Sequence, residues 1–208
     1  NLGVDIRIDD DHAIISACKH GHLDVVKYLL SLGANIRAEN DKATVYAIEN
    51  GHIEIVKFLI SLGINIKEKC DCVIINISRH GHLEMIKYLV NLAIDLREYC
   101  NIAFGKASEN GHLEVVKYLV SLGADIRSYN DIAICLASEN GHLGIVKYLV
   151  NLKADIRAKE DYCITYASSK GHLEVVKYIV SLDKDVILNS NIAFIYAATN
   201  GHLDVVKY

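Results

Sequence analysis

The chain has 208 residues, 51% of them apolar, enough for a sizeable core, and no stretch approaches the roughly 18 uninterrupted apolar residues of a membrane span. Lys and Arg number 22 against 26 Asp and Glu, a net charge of −4, which gives no general attraction to nucleic acid or anionic lipid. Composition stays even from end to end, without Pro or a block of like charge, so no domain boundary is visible.

The start, Asn1-Leu2-Gly3-Val4-Asp5-Ile6-Arg7, lacks the basic residues and apolar run of a secretory signal. Cys18, Cys70, Cys72, Cys100, Cys135 and Cys163 follow no disulfide spacing, so reduced thiols and a cytosolic address, with the nucleus as the alternative, are expected. Further along, organisation is set by a repeat. Gly-His recurs at Gly21-His22, Gly51-His52, Gly81-His82, Gly111-His112, Gly141-His142, Gly171-His172 and Gly201-His202, with a constant spacing of thirty. The period divides one array, 1–208, into a partial repeat 1–10, complete repeats 11–40, 41–70, 71–100, 101–130, 131–160 and 161–190, and a partial repeat 191–208. The stop at Tyr208, inside a helical pattern and without a polar capping repeat, reads as a trimmed region of a longer array.

Each repeat predicts a short helix, a tight Gly-His turn, a longer helix and a loop. The repeat from 101 opens with Asn101 as a candidate helix cap, and the next with Asp131, ahead of Ala103, Phe104 and Ala107 or Ala133, Ile134 and Ala137. In the longer helix after Gly111-His112, Val116, Leu119 and Val120 recur at i, i+3 and i+4, with Glu114 and Lys117 on the solvent side. Gly33, Gly63 and Gly123 stand where a left-handed C-terminal cap is wanted, and Ala93, Lys153 and Asp183 stand in the same place at a conformational cost. With Gly105 and Gly144 inside helices, the segments 71–100 and 131–190 are expected to open first. Such short helix pairs bury their apolar faces only by stacking, so the fold class is an all-α solenoid of 30-residue helix-turn-helix repeats.

The stretch Ala137-Ser138-Glu139-Asn140-Gly141-His142-Leu143-Gly144-Ile145-Val146-Lys147-Tyr148-Leu149-Val150 resembles the second half of the ankyrin repeat, and the resemblance covers the whole chain. The phrase at 111–127, with the thirty-residue period, is similar to the multicopy ankyrin proteins of giant amoebal DNA viruses of the mimivirus type. Two departures matter. The family's Thr-Pro-Leu-His is replaced by His12-Ala13-Ile14-Ile15, Ile102-Ala103-Phe104-Gly105 or Tyr162-Cys163-Ile164-Thr165, and the connection counted from Gly33 to Lys42 is about three residues short of the family norm. The β-hairpins are therefore expected to be shortened or absent.

Candidate chemistry reads mostly as structure. Stacked repeats lie roughly 8–10 Å apart, too far for the histidine row to share one zinc, and the resemblance implies that each His buttresses a turn by hydrogen bonding. Cys70, Cys72, His80 and His82 cluster in sequence but not along a helix, because Cys72 and His80 would stand about 12 Å apart. A second row, Arg7, Arg37, Lys67, Arg97, Arg127 and Arg157, is expected to pair with Asp5, Asn35, Asn65, Asp95, Asp125 and Asp155 as a compensating charge ladder. No phosphate loop, nucleophile elbow or His-Glu-x-x-His occurs, so no enzyme, cofactor, metal or small-molecule substrate is expected.

What varies on the repeated frame points to binding. Tyr46, Arg79, Tyr99, Lys106, Glu109, Tyr129, Leu136, Tyr166 and Tyr196 occupy the variable register of the first helix and its preceding loop, and Tyr and Arg are the usual anchors of protein interfaces. The resemblance places these positions on a concave inner surface. The expected function is a non-catalytic protein-interaction scaffold, by resemblance a viral factor acting on host or viral proteins. The alternative is the recognition arm of a ubiquitin-ligase adaptor whose recruiting segment lies elsewhere. Nucleic acid is disfavoured by the net charge.

Overall fold

The computed structural model describes residues 7–67, 73–187 and 191–208. It falls into two compact units, Asn1–Tyr99 and Cys100–Tyr208. Among the described residues there are only helices and turns, with no strand. The N-terminal unit holds α1 (Ile8–Lys19), α2 (Leu23–Ser31), α3 (Ala38–Glu49), α4 (Ile53–Ser61), α5 (Val73–Arg79), α6 (Leu83–Asn91) and a 3₁₀ turn at Arg97–Tyr99. In the C-terminal unit come α7 (Cys100–Glu109), α8 (Leu113–Ser121), α9 (Ser128–Glu139), α10 (Leu143–Asn151), α11 (Ala158–Ser169), α12 (Leu173–Leu182), a 3₁₀ turn at Lys184–Ile187, α13 (Asn191–Thr199) and α14 (Leu203–Lys207). Within each unit the odd-numbered helices form an inner row, each packed on the next, and each carries its even-numbered partner behind it as an outer row.

The core lies between the rows. The outer helices α4, α6, α8, α10 and α12 bury a three-residue set, such as Val115, Val116 and Leu119 in α8 or Ile145, Val146 and Leu149 in α10, while Val120, expected on that face, is only half-buried. Inner helices contribute small residues at every turn, such as Ala103 and Ala107, which let neighbours approach closely enough to enclose Phe104. Glu and Lys on the solvent side pair as expected, Glu114 with Lys117, Glu54 with Lys57, Glu84 with Lys87 and Glu174 with Lys177, at 2.7–2.8 Å. Being exposed, these pairs contribute little. The recurring aromatic of the outer helix has its own partner: Lys27 Nζ lies 5.6 Å from the Phe58 ring and Lys147 Nζ 5.5 Å from the Tyr178 ring, one repeat on.

The Gly-His turn explains itself in three dimensions. Gly141 has φ +76°, and a Cβ there would fall 2.5 Å from Nδ1 of His172 in the following repeat; Gly21–His52, Gly51–His82, Gly111–His142 and Gly171–His202 repeat the arrangement. The ring lying over the glycine bonds through Nε2 to a carbonyl of the preceding inner helix, His52 to Lys19, His142 to Glu109 and His202 to Ser169, at 2.9–3.0 Å. A carbonyl only accepts, so Nε2 carries the proton. The row thus joins consecutive repeats, as hydrogen-bonding buttresses from one turn to the last.

The connection between repeats departs from expectation. Residues 9–11, 39–41, 129–131 and 159–161 are left-handed, with φ between 49° and 62°. That costs on the order of 1–2 kcal/mol per non-glycine residue, least for Asp and Asn. Asp11 and Asp131, third members of their stretches, offset it by bonding across repeats, accepting the backbone N–H of Asn35 and Asp155 at 2.7 and 2.9 Å, and Asn101 makes the same bond to Asp125 at 2.8 Å from a connection that is not left-handed. Asn101 and Asp131 therefore do not cap their own helices, as the sequence suggested, but tie down the next loop.

The arginine ladder is corrected for the same reason. Arg37, Arg127 and Arg157 face the aspartate four residues on, Asp41, Asp131 and Asp161, rather than the residue two before; Arg7 likewise faces Asp11, while Asp5 lies outside the described residues. Their backbone N–H groups do bond the residue two before, as in Arg127 to Asp125 and Arg157 to Asp155. Arg97 keeps the expected partner, Asp95 at 2.7 Å, because residue 101 is Asn. Asp95 is held low, at about 2, by the Arg97 side chain and backbone N–H.

The connection takes two conformations. Where Ala38, Ser128 or Ala158 precedes the left-handed stretch, that small side chain turns inward and is buried. Glu98 occupies the same register and stays exposed, since an unpaired carboxylate is costly to bury, and there the chain forms the 3₁₀ turn with Leu96 buried. Ala93 and Lys153 are left-handed, at φ 55° and 68°, as their cap positions require. Asp183 is not: α12 runs on to Leu182 and Asp183 is extended, at φ −145°.

Candidate functional site

The variable positions lie on the solvent side of the inner row. In the N-terminal unit Tyr46 is half-buried between two lysines, Lys19 Nζ at 5.4 Å and Lys42 Nζ at 5.8 Å from its ring centroid. Lys42 is also held by Glu39 at 2.5 Å. Arg79 is exposed at the end of α5, and Tyr99 is half-buried in the 3₁₀ turn. Asn76 donates to Glu49 at 2.6 Å. This face is polar, with His12, Ser16, Lys19 and Lys42 around Tyr46.

The C-terminal unit presents a different surface. Lys106 and Glu109 pair at 2.6 Å, so the two charged candidates neutralise one another. Tyr129 is 61% exposed, its ring carried outward by the left-handed backbone at φ 53°. Ile102, Gly105, Ile132 and Leu136 line an apolar groove of about 370 Å³ between α7 and α9, with Asn101, Lys106 and Tyr129 at its rim. One repeat on, the rings of Tyr162 and Tyr166 stack at 3.9 Å, and the Tyr162 hydroxyl donates to Glu139 at 2.5 Å. Burial, then the Glu139 carboxylate, push the Tyr162 hydroxyl well above the ordinary tyrosine range. Tyr196 is 41% exposed on α13.

The structure brings Lys106, Tyr129 and Leu136 together at one groove and sets Glu109 beside Lys106. Tyr46, Arg79 and Tyr99 belong to the other unit. Sequence reasoning missed Ile102, Ile132 and Tyr162, and it read Gly105 only as a weak point of a helix. The signal was available: 102, 132 and 162 stand four residues before 106, 136 and 166, one helical turn away on the same face. A larger cavity, about 530 Å³, is lined by Ile164, Val176, Val180 and Phe194, the apolar interior shared by consecutive repeats.

Ser108 and Ser138 donate to carbonyls one turn back. Cys18, Cys100, Cys135 and Cys163 are buried and free, and burial pushes the Cys18 thiol up to about 12. Cys163 donates to Cys135 across 3.7 Å, which, with burial, raises it well above the ordinary thiol range. Cys70 and Cys72 lie outside the described residues. Among the described residues no three His, Cys, Asp or Glu side chains gather as metal ligands, and no helix is long and apolar enough to cross a membrane.

Paired helices repeated at a fixed period and joined through their turns define a helical repeat protein. The family model described as ankyrin repeats (3 copies) matches residues 2–70, 71–130 and 134–208, and the chain belongs to that family. Among solved structures it is similar to the crystal structure of the human ASB11 ankyrin repeat domain, with a TM-score of 0.63 and 17% identity over 82% of this chain and 83% of that one. No curated protein sequence matches it. The likeness to ASB11 is one of fold.

Proposed function

We propose that the chain is a non-catalytic scaffold that binds a protein partner through the solvent face of its inner helices, the concave face of ankyrin arrays. The carrying observation is the set of exposed and half-buried apolar and aromatic side chains on the inner helices, Ile102, Tyr129, Ile132 and Leu136 at one groove with Tyr166 and Tyr196 on the helices that follow. Apolar and aromatic side chains gathered at a groove are the usual material of interface centres. Rigid helices lose little entropy on docking, so a few aromatic anchors suffice for specificity. The unbroken thirty-residue period supports treating 1–208 as one array. The phrase at 111–127 supports a giant-virus origin, with host or viral proteins as partners in the host cytosol. In the alternative, a ubiquitin-ligase adaptor, the same face would hold the substrate.

The test is site-specific photo-crosslinking in extract of the source or host cell. A benzoyl-phenylalanine at Leu136 or Tyr166 is expected to give protein adducts that the same residue at Lys117 or Lys147, on the outer helices, does not. Adducts confined to the outer positions would move the site off the inner face.

A further inference from the structure

Gly105 is an anomaly of the inner row. Its register carries a side chain in the other repeats: Ile15, Val45, Ile75, Cys135, Thr165 and Ile195. Glycine in mid-helix is destabilising, and here neither backbone nor packing calls for it. Its φ is not left-handed, and a Cβ would meet only Ile132 Cγ2 at 3.9 Å, an ordinary contact. What the missing side chain leaves is the floor of the 370 Å³ groove. The groove's one charged rim residue, Lys106, is neutralised by Glu109, so the groove suits an apolar group rather than an ion.

One repeat further along, the charge balance changes. Glu139 repeats the position of Glu109, but Leu136 stands where Lys106 stood, and the carboxylate accepts only the Tyr162 hydroxyl. It sits beside the stacked Tyr162 and Tyr166 rings. A carboxylate without a cation next to an aromatic face is the complement of a guanidinium or ammonium group. Adjacent helices lie roughly 8–10 Å apart, which sets the distance between the two features.

We propose that the groove over Gly105 takes one large apolar side chain of a partner peptide, while Glu139 and the stacked tyrosines take a basic side chain of that peptide about 10 Å away. This deepens the inner-face reading and rests on it. The spacing corresponds to three residues of extended chain or two helical turns, so the partner carries Phe or Leu and Arg or Lys at i, i+3 or i, i+7.

The test uses the full chain and fluorescein-labelled 15-residue peptides with one Phe and one Arg at every separation from one to eight in a Ser/Ala background, read by fluorescence polarisation. Binding is expected only near separations of three or seven, and to be lost when Phe becomes Ala. Gly105→Leu should weaken it about tenfold or more while leaving helicity and melting temperature unchanged or higher. Glu139→Gln should cost about fivefold with Arg peptides and nothing when Arg is replaced by citrulline. Undiminished binding to Gly105→Leu, preference for Glu over Arg, or no binding by any peptide would overturn the proposal. So would sedimentation showing self-association that Gly105→Leu abolishes, which gives the groove to a second copy. If Gly105→Leu leaves crosslinking from Leu136 intact, the groove assignment fails while the inner-face reading stands.

Discussion

Replacing Gly141 by Ala should be far more damaging than replacing Gly123, although both glycines are left-handed. At Gly123 a Cβ meets nothing within 4 Å, so the cost is the backbone's alone, about 1 kcal/mol, and Ala93 already tolerates the equivalent position. At Gly141 the same backbone cost applies, but the new Cβ lies 2.5 Å from His172 Nδ1 and 2.8 Å from two ring carbons. The ring must move, which forfeits its bond to the Glu139 carbonyl, about 0.5–1.5 kcal/mol, and adds overpacking of about 1–3 kcal/mol. A loss of about 2.5–5.5 kcal/mol against about 1 is therefore expected. Denaturant unfolding gives the totals, and amide exchange should place the Gly141→Ala loss in α9 to α12, since a repeat array weakens locally. The double variant Gly141→Ala/His172→Ala should recover about 1–2 kcal/mol relative to additivity. Equal losses for Gly123→Ala and Gly141→Ala would refute the view that the His row locks one repeat to the next.

Asp131 offers a graded test of the inter-repeat bond: Asp131→Asn should cost under about 1 kcal/mol, because Asn101 makes the same contact, whereas Asp131→Ala should cost about 1–3 kcal/mol by orphaning the Asp155 N–H. Urea midpoints decide between them. Lys153→Gly and Ala93→Gly should each stabilise by about 1 kcal/mol, while Asp183→Gly, at an extended position, should not. Burial, its largest cause, holds His172 below its ordinary 6.5, so the unfolded chain takes up that proton first as pH falls. The associated stability is present above pH 6.5 and is lost below it, down to the lower native value; His172→Gln should remove that part of the drop between pH 7.5 and 5.5. Tyr166→Ala should reduce partner binding about tenfold with unchanged helicity, a ratio that titration calorimetry reads directly.

Sequence alone determined the helices, their order and the period, because each rests on local physics: the 3.6-residue apolar spacing, glycine at positive φ and the constant Gly-His interval. It also singled out the variable register of the inner helices. Tertiary structure decided which partner each polar group takes. Asn101 and Asp131 look like caps until the next loop arrives with an unpaired N–H, and Arg97 keeps Asp95 only because residue 101 is Asn. Gly105 is a helix weakness in one dimension; only when α9 packs alongside does the missing side chain become the floor of a groove. Local periodicity fixes what a residue's own helix does with it, and contacts some thirty residues away fix what its side chain is for.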